Sequence, residues 1–351
     1  MKSILITGGC GFIGTNFIKY ILEEANFTGK IINIDKITYA GNPTNLAEIE
    51  KQYHERYFFV RADISDEDKL NQIFDDFEID TICHFAAESH VDRSIVNPKD
   101  FIKTNIIGTY NLLELSRARK DQVELFHHVS TDEVFGSLSE NGFFTEDTPY
   151  RPNSPYSASK ASSDHLVRAY NKTYGTPVII SNCSNNYGPF QFPEKLIPLI
   201  ILNALEGKSL PVYGDGQNIR DWLYVKDHCK AIWTIMTNGK IGDTYNIGGD
   251  NELKNIDVVE MICDILDKTV PKIKGYKSRK ELIKFVKDRP GHDMRYAIDF
   301  SKISRELDWF PSETFNTGLT KTIYWYLNNS EWINRIKSGE YKNWINKQYE
   351  N

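Results

Sequence analysis

An α/β fold with a doubly wound parallel sheet is predicted by three features of the first half of this chain. Short apolar runs alternate with stretches of helical length and pattern, beginning with the run SILIT at residues 3–7. A glycine-rich segment, GGCGFIG, links this first run to the first helical stretch. Strands that alternate with helices in this way form βαβ units, in which the strands are parallel and ligands bind at their carboxyl ends.

The positions of these runs set the expected elements. The expected strands are Ser3–Thr7, Lys30–Asp35, Tyr57–Ala62, Thr81–Ala86, Leu125–Ser130, Pro177–Ser181 and, rejoining the same sheet, Asp243–Ile247. The expected helices are Phe12–Glu24, Asp66–Phe77, Asp100–Arg119, Tyr156–Tyr174, Val258–Asp267 and Phe315–Asn328. Segments 185–198 and 213–222 are rich in Asn, Pro and Gly, which predicts long ordered loops.

Composition excludes several classes of protein. The 42 basic and 48 acidic residues leave a net charge of −6, which argues against non-specific binding to nucleic acid or membrane surfaces. No apolar run approaches the roughly 20 residues of a membrane span, and the N-terminal run is too short for a signal peptide. The five cysteines are widely spaced without a CxxC pair, so neither a metal site nor a disulfide framework is expected. We therefore expect a cytoplasmic protein.

The glycine-rich segment has the spacing of a dinucleotide-binding loop. Gly8 permits the tight turn, Gly11 lets the backbone approach a pyrophosphate at the helix N-terminus, and Gly14 lets the helix pack closely on the sheet. Asp35 ends the second strand, where a carboxylate binds the adenosine ribose and repels a 2′-phosphate. The pattern predicts NAD rather than NADP, although Lys36 directly after Asp35 weakens that distinction.

Two further strand ends allow two interpretations each. Asp63 and Ile64 follow the third strand, where they would lie beside the adenine, but Asp63 would equally suit a helix cap. Ala86 and Ala87 follow the fourth strand, and they are as small as close passage of a cofactor requires. Ordinary packing at a strand end would explain the two alanines equally well.

Tyr156 and Lys160 are four residues apart in PYSASK, so they share one face of a helix. A tyrosine that accepts a proton near pH 7 must have its pKa lowered from about 10 by roughly three units, or about 4 kcal/mol. One cation at about 4 Å supplies energy of that order. We therefore expect Lys160, helped by the positive charge of the nicotinamide, to activate Tyr156; the alternative is a solvated helix face.

The fifth strand ends in STDE, residues 130–133. Thr131 offers a hydroxyl to a reacting oxygen, and Asp132 and Glu133 place two carboxylates at the same edge of the sheet. Simple hydride transfer needs only the tyrosine and the lysine, so the two acids suggest a further acid and base step such as removal of water. The alternative is a solvated turn with a capping acid.

With these residues in place, the chain resembles the extended short-chain dehydrogenase/reductase family, and within it the nucleotide-sugar 4,6-dehydratases. The segments that carry the resemblance are 6–14, 35–42, 86–95, 104–114, 128–136, 154–164, 185–198, 212–228 and 289–299. The acid pair after Thr131 discriminates, because the related 4-epimerases lack it. Cys10 stands where alanine is commoner, and Met294 interrupts a basic run.

The resemblance implies a reaction without net oxidation on dTDP-glucose. Tyr156 removes the 4-hydroxyl proton while the C4 hydride passes to NAD⁺, and Thr131 holds the keto oxygen. Glu133 then removes the C5 proton, Asp132 protonates the departing C6 hydroxyl, and the hydride returns to C6. The expected product is dTDP-4-keto-6-deoxyglucose, a precursor in deoxysugar (rhamnose-type) biosynthesis, with tightly bound NAD regenerated in each turnover.

Three alternatives stay open: a dehydratase for UDP-glucose or another nucleotide sugar, a nucleotide-sugar 4-epimerase, and an NAD-binding scaffold without turnover. A scaffold would need none of the acid pair, the tyrosine and the lysine.

The resemblance assigns residues 1–183 to a Rossmann-type NAD-binding domain, with later returns near 220–250. It assigns residues 184–351 mainly to a smaller, interleaved α+β lobe that binds the nucleotide sugar.

The resemblance also implies the binding residues. The expected cofactor residues are Gly8, Gly11, Phe12, Ile13, Gly14, Asp35, Lys36, Thr38, Asp63, Ile64, Ala86, Ala87, Ser89, Thr104, Ser130, Tyr156, Lys160 and Asn185. The expected substrate residues are Ser89, Thr131, Asn186, Lys195, Leu196, Pro211, Tyr213, Arg220, Asn255, Arg289 and His292, with Tyr213 stacked on the base. Arg220 and Arg289 would hold the diphosphate, the alternative being surface ion pairs. A homodimer is expected through a four-helix bundle of Asp100–Arg119 and Tyr156–Tyr174.

Overall fold

A computed structural model describes residues 1–337 of the chain. Within these residues the strands are β1 (Ser3–Thr7), β2 (Lys30–Asp35), β3 (Tyr57–Arg61), β4 (Thr81–His84), β5 (Leu125–Thr131), β6 (Val178–Cys183), β7 (Asn185–Tyr187), β8 (Leu210–Tyr213), β9 (Ile219–Tyr224), β10 (Thr244–Ile247), β11 (Glu252–Lys254) and β12 (Ile283–Val286). The helices are α1 (Phe12–Glu23), α2 (Ala47–Gln52), α3 (Glu67–Asp76), α4 (Val91–Val96), α5 (Lys99–Phe101), α6 (Thr109–Ala118), α7 (Pro155–Tyr174), α8 (Leu196–Glu206), α9 (Val225–Asn238), α10 (Asn255–Thr269), α11 (Ser301–Leu307), α12 (Phe315–Asn328) and α13 (Ser330–Lys337).

The larger sheet is parallel throughout and has the strand order β10-β6-β5-β4-β1-β2-β3 in the described part of the chain. Every residue of β1 and β5 is buried, as expected for strands covered by helices on both faces. The strand order reverses direction between β1 and β4, and such sheets bind ligands at this switch point. The predicted Rossmann-type α/β fold is confirmed.

Helices cover both faces of this sheet and exclude water from it. On one face Phe17 and Ile21 of α1 pack with Ile232 and Ile235 of α9. On the other face α3, α6 and α7 contribute a second apolar cluster that includes Leu112. Helix α9 lies far along the chain from α1, but its packing against α1 places it on the larger sheet.

A second, smaller body of structure has its own apolar core. It contains the three-stranded sheet β11-β9-β7 and the parallel pair β12-β8. Helices α8, α10 and α12 pack over these strands and bury Ile200, Ile262 and Leu319. The strand β10 and the helix α9 also follow residue 184 but pack in the first sheet. The assignment of the domain boundary to residue 183 stays a prediction.

The structure corrects the expectation of long loops at 185–198 and 213–222. The first segment contains β7 and the beginning of α8, and the second contains β9. Short strands of three to six residues flanked by Gly, Pro and Asn carry too little periodicity to be recognised without their pairing partners. The expected helix 100–119 is interrupted by a π-helical segment, Ile102–Gly108. None of the helices over residues 1–337 has the length and apolar character needed to cross a membrane.

Candidate active site

A cleft of about 300 Å³ lies at the carboxyl ends of β1, β2, β4, β5 and β6. Each of these strands contributes the residues that directly follow it, so the cleft occupies the switch point of the sheet. The predicted residues that line it are Gly8, Gly11, Phe12, Ile13, Gly14, Asp35, Lys36, Thr38, Ile64, Ala86, Ala87, Ser89, Thr104, Ser130, Thr131, Asp132, Glu133, Tyr156, Lys160, Asn185, Asn186 and Lys195.

Some of the predicted residues lie outside this lining. Asp63 accepts a hydrogen bond from the backbone N–H of Ser65 at 2.9 Å and lies 3.8 Å from the ammonium of Lys103. The cap of α3 is Asp66, so the alternative role of Asp63 as that helix cap is wrong. The predicted substrate residues outside the lining are Leu196, Pro211, Tyr213, Arg220, Asn255, Arg289 and His292.

Two of these outer residues contact one carboxylate that the sequence did not single out, and a third packs beside them. Asp92 accepts a hydrogen bond from the Tyr213 hydroxyl at 3.0 Å and one from the Arg289 guanidinium at 3.1 Å. The rings of Tyr213 and His292 lie edge to face, with centroids 6.2 Å apart. Asp92 therefore holds a tyrosine and an arginine of the smaller body of structure against α4 of the larger one.

The glycine-rich loop has the geometry of a pyrophosphate cradle. Gly8 has a φ of +72°, and a Cβ there would lie 2.8 Å from the backbone of Ala86. A Cβ at Gly14 would lie 2.4 Å from the carbonyl oxygen of Gly8, which shows how closely α1 packs on the loop. A Cβ at Gly11 would meet only that same oxygen, at 3.3 Å, and would otherwise occupy the cleft. The loop therefore fits a dinucleotide.

Asp35 is placed as a ribose-binding carboxylate. It accepts backbone hydrogen bonds from Cys10 at 3.0 Å and from Ile37 at 2.8 Å, which leaves lone pairs on both oxygens for a ligand. Burial raises the pKa of Asp35, while these two bonds oppose the rise. The ammonium of Lys36 donates to Thr104 at 2.8 Å and lies 3.4 Å from Glu88. Because the charge of Lys36 is paired, it does not favour a 2′-phosphate.

Helix α7 presents Tyr156 and Lys160 on its buried face. Ser154 caps the helix in a reciprocal capping box with Ser157, and Pro155 occupies the first turn. The ammonium of Lys160 donates to the carbonyl oxygen of Val129 on β5 at 2.8 Å. This bond fixes the position of the helix against the strand that ends in Thr131.

The environment of Tyr156 in the chain alone disfavours its ionised form. Burial raises the pKa of Tyr156 well above its usual value, and the charge of Glu133 raises it further. The Thr131 side chain acts in the opposite direction by hydrogen bonding. A base at Tyr156 therefore requires further positive charge beside the phenol, and its activation by Lys160 together with the nicotinamide stays a prediction.

Of the two carboxylates after Thr131, Asp132 is fully buried and Glu133 is half-buried, and the two differ in their charged neighbours. Burial, followed by the charges of Glu133 and Asp221, raises the pKa of Asp132 well above its usual value. One oxygen of Asp132, Oδ2, is buried without a hydrogen-bond partner. Both features favour the protonated form of Asp132.

Glu133 differs from Asp132 in the sign of its charged neighbours. Burial raises its pKa too, but the nearby cations Arg289, Lys195 and Arg220 all oppose that rise. Because like charges in adjacent buried carboxyl groups disfavour double ionisation, the pair holds one proton more readily than none. The neighbours of the two groups thus favour a proton on Asp132 rather than on Glu133, and their roles as acid and base stay predictions.

Sequence reasoning missed a buried carboxylate in the wall of the cleft. Glu194 accepts hydrogen bonds from the Tyr39 hydroxyl at 2.9 Å and from Arg93 at 3.1 Å. Tyr39 and Arg93 are far from Glu194 in the sequence, so no local sequence pattern could predict these contacts. The only signal was a charged Glu194–Lys195 pair within an otherwise apolar and Pro-rich segment. Over residues 1–337 no cluster of His, Cys, Asp or Glu is arranged to hold a metal ion.

A parallel sheet with a glycine loop, a ribose-type carboxylate and a buried Tyr-Lys pair defines a dinucleotide-dependent site of the short-chain dehydrogenase/reductase type. The family model described as GDP-mannose 4,6 dehydratase matches residues 5–322, which is most of the chain. The chain belongs to this family.

Relatives and solved structures agree with this assignment. The chain is 56% identical to the dTDP-glucose 4,6-dehydratase of Escherichia coli over 99% of each sequence. It is similar to the dTDP-glucose 4,6-dehydratase of Bacillus anthracis crystallised with NAD, with 48% identity, a TM-score of 0.85, and 96% of this chain and 100% of that chain covered. It is also similar to the Streptomyces venezuelae enzyme of the same name, with 44% identity, a TM-score of 0.88, and 95% and 99% covered.

Two glycine substitutions separate folding from binding of the predicted cofactor. Gly11→Ala should fold with little change in melting temperature, because its Cβ meets only one atom, but NAD affinity should fall at least about tenfold, or about 1.4 kcal/mol. Gly14→Ala should lower the free energy of unfolding by about 1–3 kcal/mol, because its Cβ overlaps backbone. Thermal melting and NAD titration of both variants make the comparison. Unchanged NAD affinity in Gly11→Ala would contradict the assigned role of the loop.

Proposed function

We propose that the chain converts dTDP-glucose into dTDP-4-keto-6-deoxyglucose and water, with tightly bound NAD as its cofactor. The observation that carries this proposal is the buried acid pair beside Tyr156, in which Asp132 favours the protonated form and cations oppose protonation of Glu133. The named activity of relatives that match almost the whole chain supports it.

The chain's own residues suit the dinucleotide. The glycine loop would hold the pyrophosphate and Asp35 the adenosine ribose, and the small residues Ala86 and Ala87 would border the nicotinamide half. When bound, NAD⁺ supplies reversible two-electron oxidation at the sugar C4, the matching reduction at C6, and a positive charge near Tyr156. That charge is what the phenol needs to act as a base.

In the first step the chain removes a proton from oxygen. Tyr156 accepts the proton of the sugar 4-hydroxyl as C4 is oxidised. Thr131, at the end of β5, donates its hydroxyl proton to the developing keto oxygen. Lys160, which donates to the carbonyl oxygen of Val129, would stay protonated, and an ammonium at this position favours the ionised phenol. The resulting ketone acidifies the proton on C5.

In the second step the chain moves two protons and water leaves. Glu133 takes the C5 proton, and Asp132 gives its proton to the C6 hydroxyl as the C6–O bond breaks. After C6 is reduced, the proton on Glu133 returns to C5. The departure of hydroxide without an acid would be difficult, so the raised pKa of Asp132 is functional.

The alternatives differ in what they require of these residues. A 4-epimerase has no use for a protonated acid beside a carboxylate base, and burial of both would then cost stability without benefit. A dehydratase for UDP-glucose would need the same chemistry at the sugar. Its nucleobase differs from thymine by one methyl group, which contributes only about 1–3 kcal/mol to discrimination between the two substrates.

The site residues, the domain division at residue 183 and a cytoplasmic location remain parts of this proposal. The five buried free thiols suit a reducing compartment.

A homodimer is the assembly that we propose. The helical stretch from α4 to α6 carries exposed apolar side chains at Ile95, Val96, Ile102, Ile107 and Tyr110. This stretch packs beside α7, where the Tyr170 hydroxyl donates to Glu114 at 2.5 Å. Exposed apolar residues along two neighbouring helices indicate an interaction face, and two such faces form a four-helix bundle.

The substrate experiment tests the function directly. We expect purified protein to convert dTDP-glucose to a product lighter by one water, with no nicotinamide cofactor consumed, and to act more slowly on UDP-glucose. Mass spectrometry and NMR identify each product. A C4 epimer of unchanged mass would support the epimerase instead. Faster conversion of UDP-glucose would indicate that the preferred substrate carries uracil rather than thymine.

A second prediction concerns the assigned base. Glu133→Gln should still oxidise C4, because Tyr156 and the cofactor are intact, but loss of water should slow by about 10²–10⁴-fold. Single-turnover absorbance of the reduced cofactor should therefore rise and persist. Glu140→Gln, at an exposed position on the loop beyond the same strand, is the control and should react normally. Normal product formation by Glu133→Gln would refute the role.

A third prediction concerns assembly. Ile102→Asp should halve the mass in solution, because a charge in an apolar helix interface costs more than the contact supplies. Light scattering during gel filtration measures the mass. Ile241→Asp replaces an equally exposed isoleucine beyond α9 and should leave the dimer intact. A monomeric wild-type protein, or an unchanged Ile102→Asp dimer, would contradict the proposed face.

A further inference from the structure

A buried carboxylate without a role in the steps above lies one helical turn beyond Lys160. Tyr156, Lys160 and Asp164 are spaced four residues apart on α7, so all three share its buried face. Asp164 is completely buried, at 0% exposure. It does not line the cleft, so it does not act on the substrate directly.

Four groups from three other parts of the chain converge on this carboxylate. Its Oδ2 accepts hydrogen bonds from the Ser130 hydroxyl and the Tyr150 hydroxyl, both at 2.8 Å, and from the Asn182 amide at 3.4 Å. Its Oδ1 lies 3.1 Å from Nε2 of His128. A buried carboxylate with this many donors is held in one orientation.

Successive residues of β5 contact successive turns of α7. Val129 accepts the hydrogen bond of Lys160, and the next residue, Ser130, donates to Asp164. Asn182 donates both to Asp164 and to the backbone carbonyl of Thr131, the latter at 3.1 Å. The strand end that carries Thr131 is thereby fastened to the helix that carries Tyr156.

The charges of the two side chains are complementary. Burial lowers the pKa of Lys160, and the carboxylate of Asp164 is the larger of two groups that oppose this. Burial raises the pKa of Asp164, but the hydrogen bond from His128 and the charge of Lys160 hold it below its usual value. Burial lowers the pKa of His128 to about 4, so this ring is neutral near pH 7.

We propose that Asp164 is a positioning residue that keeps the Lys160 ammonium charged and holds α7 in register with the end of β5. The proposal rests on the proposed function for its effect on turnover, but not for the pairing itself. Without the carboxylate, the buried ammonium loses its counter-charge and neutralises at a lower pH. Lys160 could then no longer favour the ionised form of Tyr156.

Melting temperatures of the full chain test the pairing without any assay of activity. Asp164→Asn and Lys160→Met should each lower the melting temperature. The double variant should melt no lower than Asp164→Asn alone, because removing the unpaired ammonium costs nothing more. Asp227→Asn, which alters a buried carboxylate on α9, is the control and should combine additively with Lys160→Met. Additive losses for Asp164→Asn and Lys160→Met would overturn the proposal.

The pH profile of turnover separates charge from structure. Asp164→Asn should move the alkaline limb of kcat to lower pH by about one unit, because Lys160 then loses its proton earlier. Tyr150→Phe removes one hydrogen bond to the same carboxylate but keeps its charge, so this limb should stay in place. The other titratable or charged groups around the pair are His84, His128, Cys183 and Arg168. All four side chains remain in both variants, although Asp164→Asn removes the carboxylate beside His128 and Tyr150→Phe removes the hydroxyl to which Arg168 donates at 2.7 Å.

The outcomes of the two experiments are distinguishable. If the wild-type protein forms no dehydrated product, the proposed function fails while the melting comparison still decides the pairing. If the dehydratase is active and Asp164→Asn lowers kcat with an unmoved alkaline limb, Asp164 is only structural and the proposal is overturned.

Discussion

The chemistry of this site depends on the removal of water from ionisable side chains at the carboxyl end of β5. Tyr156, Lys160 and Asp132 are buried there and Glu133 is half-buried, and in each of them loss of contact with water is the largest influence on the pKa. Burial alone would make every one of these groups neutral. The charges that remain are therefore decided by neighbours, and the fold acts on the reaction by choosing those neighbours.

The acid pair illustrates how neighbours separate two side chains that are adjacent in sequence. Glu133 has Arg289, Lys195 and Arg220 near it. Asp132 has carboxylates as its strongest charged influences, including Asp221, whose own pKa is raised by burial to about 6. These different neighbours favour a proton on Asp132 over a proton on Glu133. No difference in the intrinsic acidity of the two carboxyl groups is needed.

The parts of the fold that could be predicted from sequence are the parts specified locally. The strand Ser3–Thr7 and the glycine turn after it are determined by residues that are consecutive in the sequence. The helix Phe315–Asn328 likewise has its predicted bounds. The bond of Lys160 to Val129 and the ion pair of Asp92 with Arg289 join distant positions, so no local pattern contains them. This is why the glycine turn could be predicted from the sequence and these two long-range contacts could not.

The cations that oppose protonation of Glu133 share one origin. Lys195, Arg220 and Arg289 all follow residue 184, whereas Glu133 lies in the turn directly after β5 of the larger sheet. Asp92, in α4, ties Arg289 and Tyr213 to the larger body of structure. The smaller body of structure thus supplies the positive charge that opposes protonation of Glu133. The charge state of this carboxylate therefore depends on how residues far apart in the chain pack together.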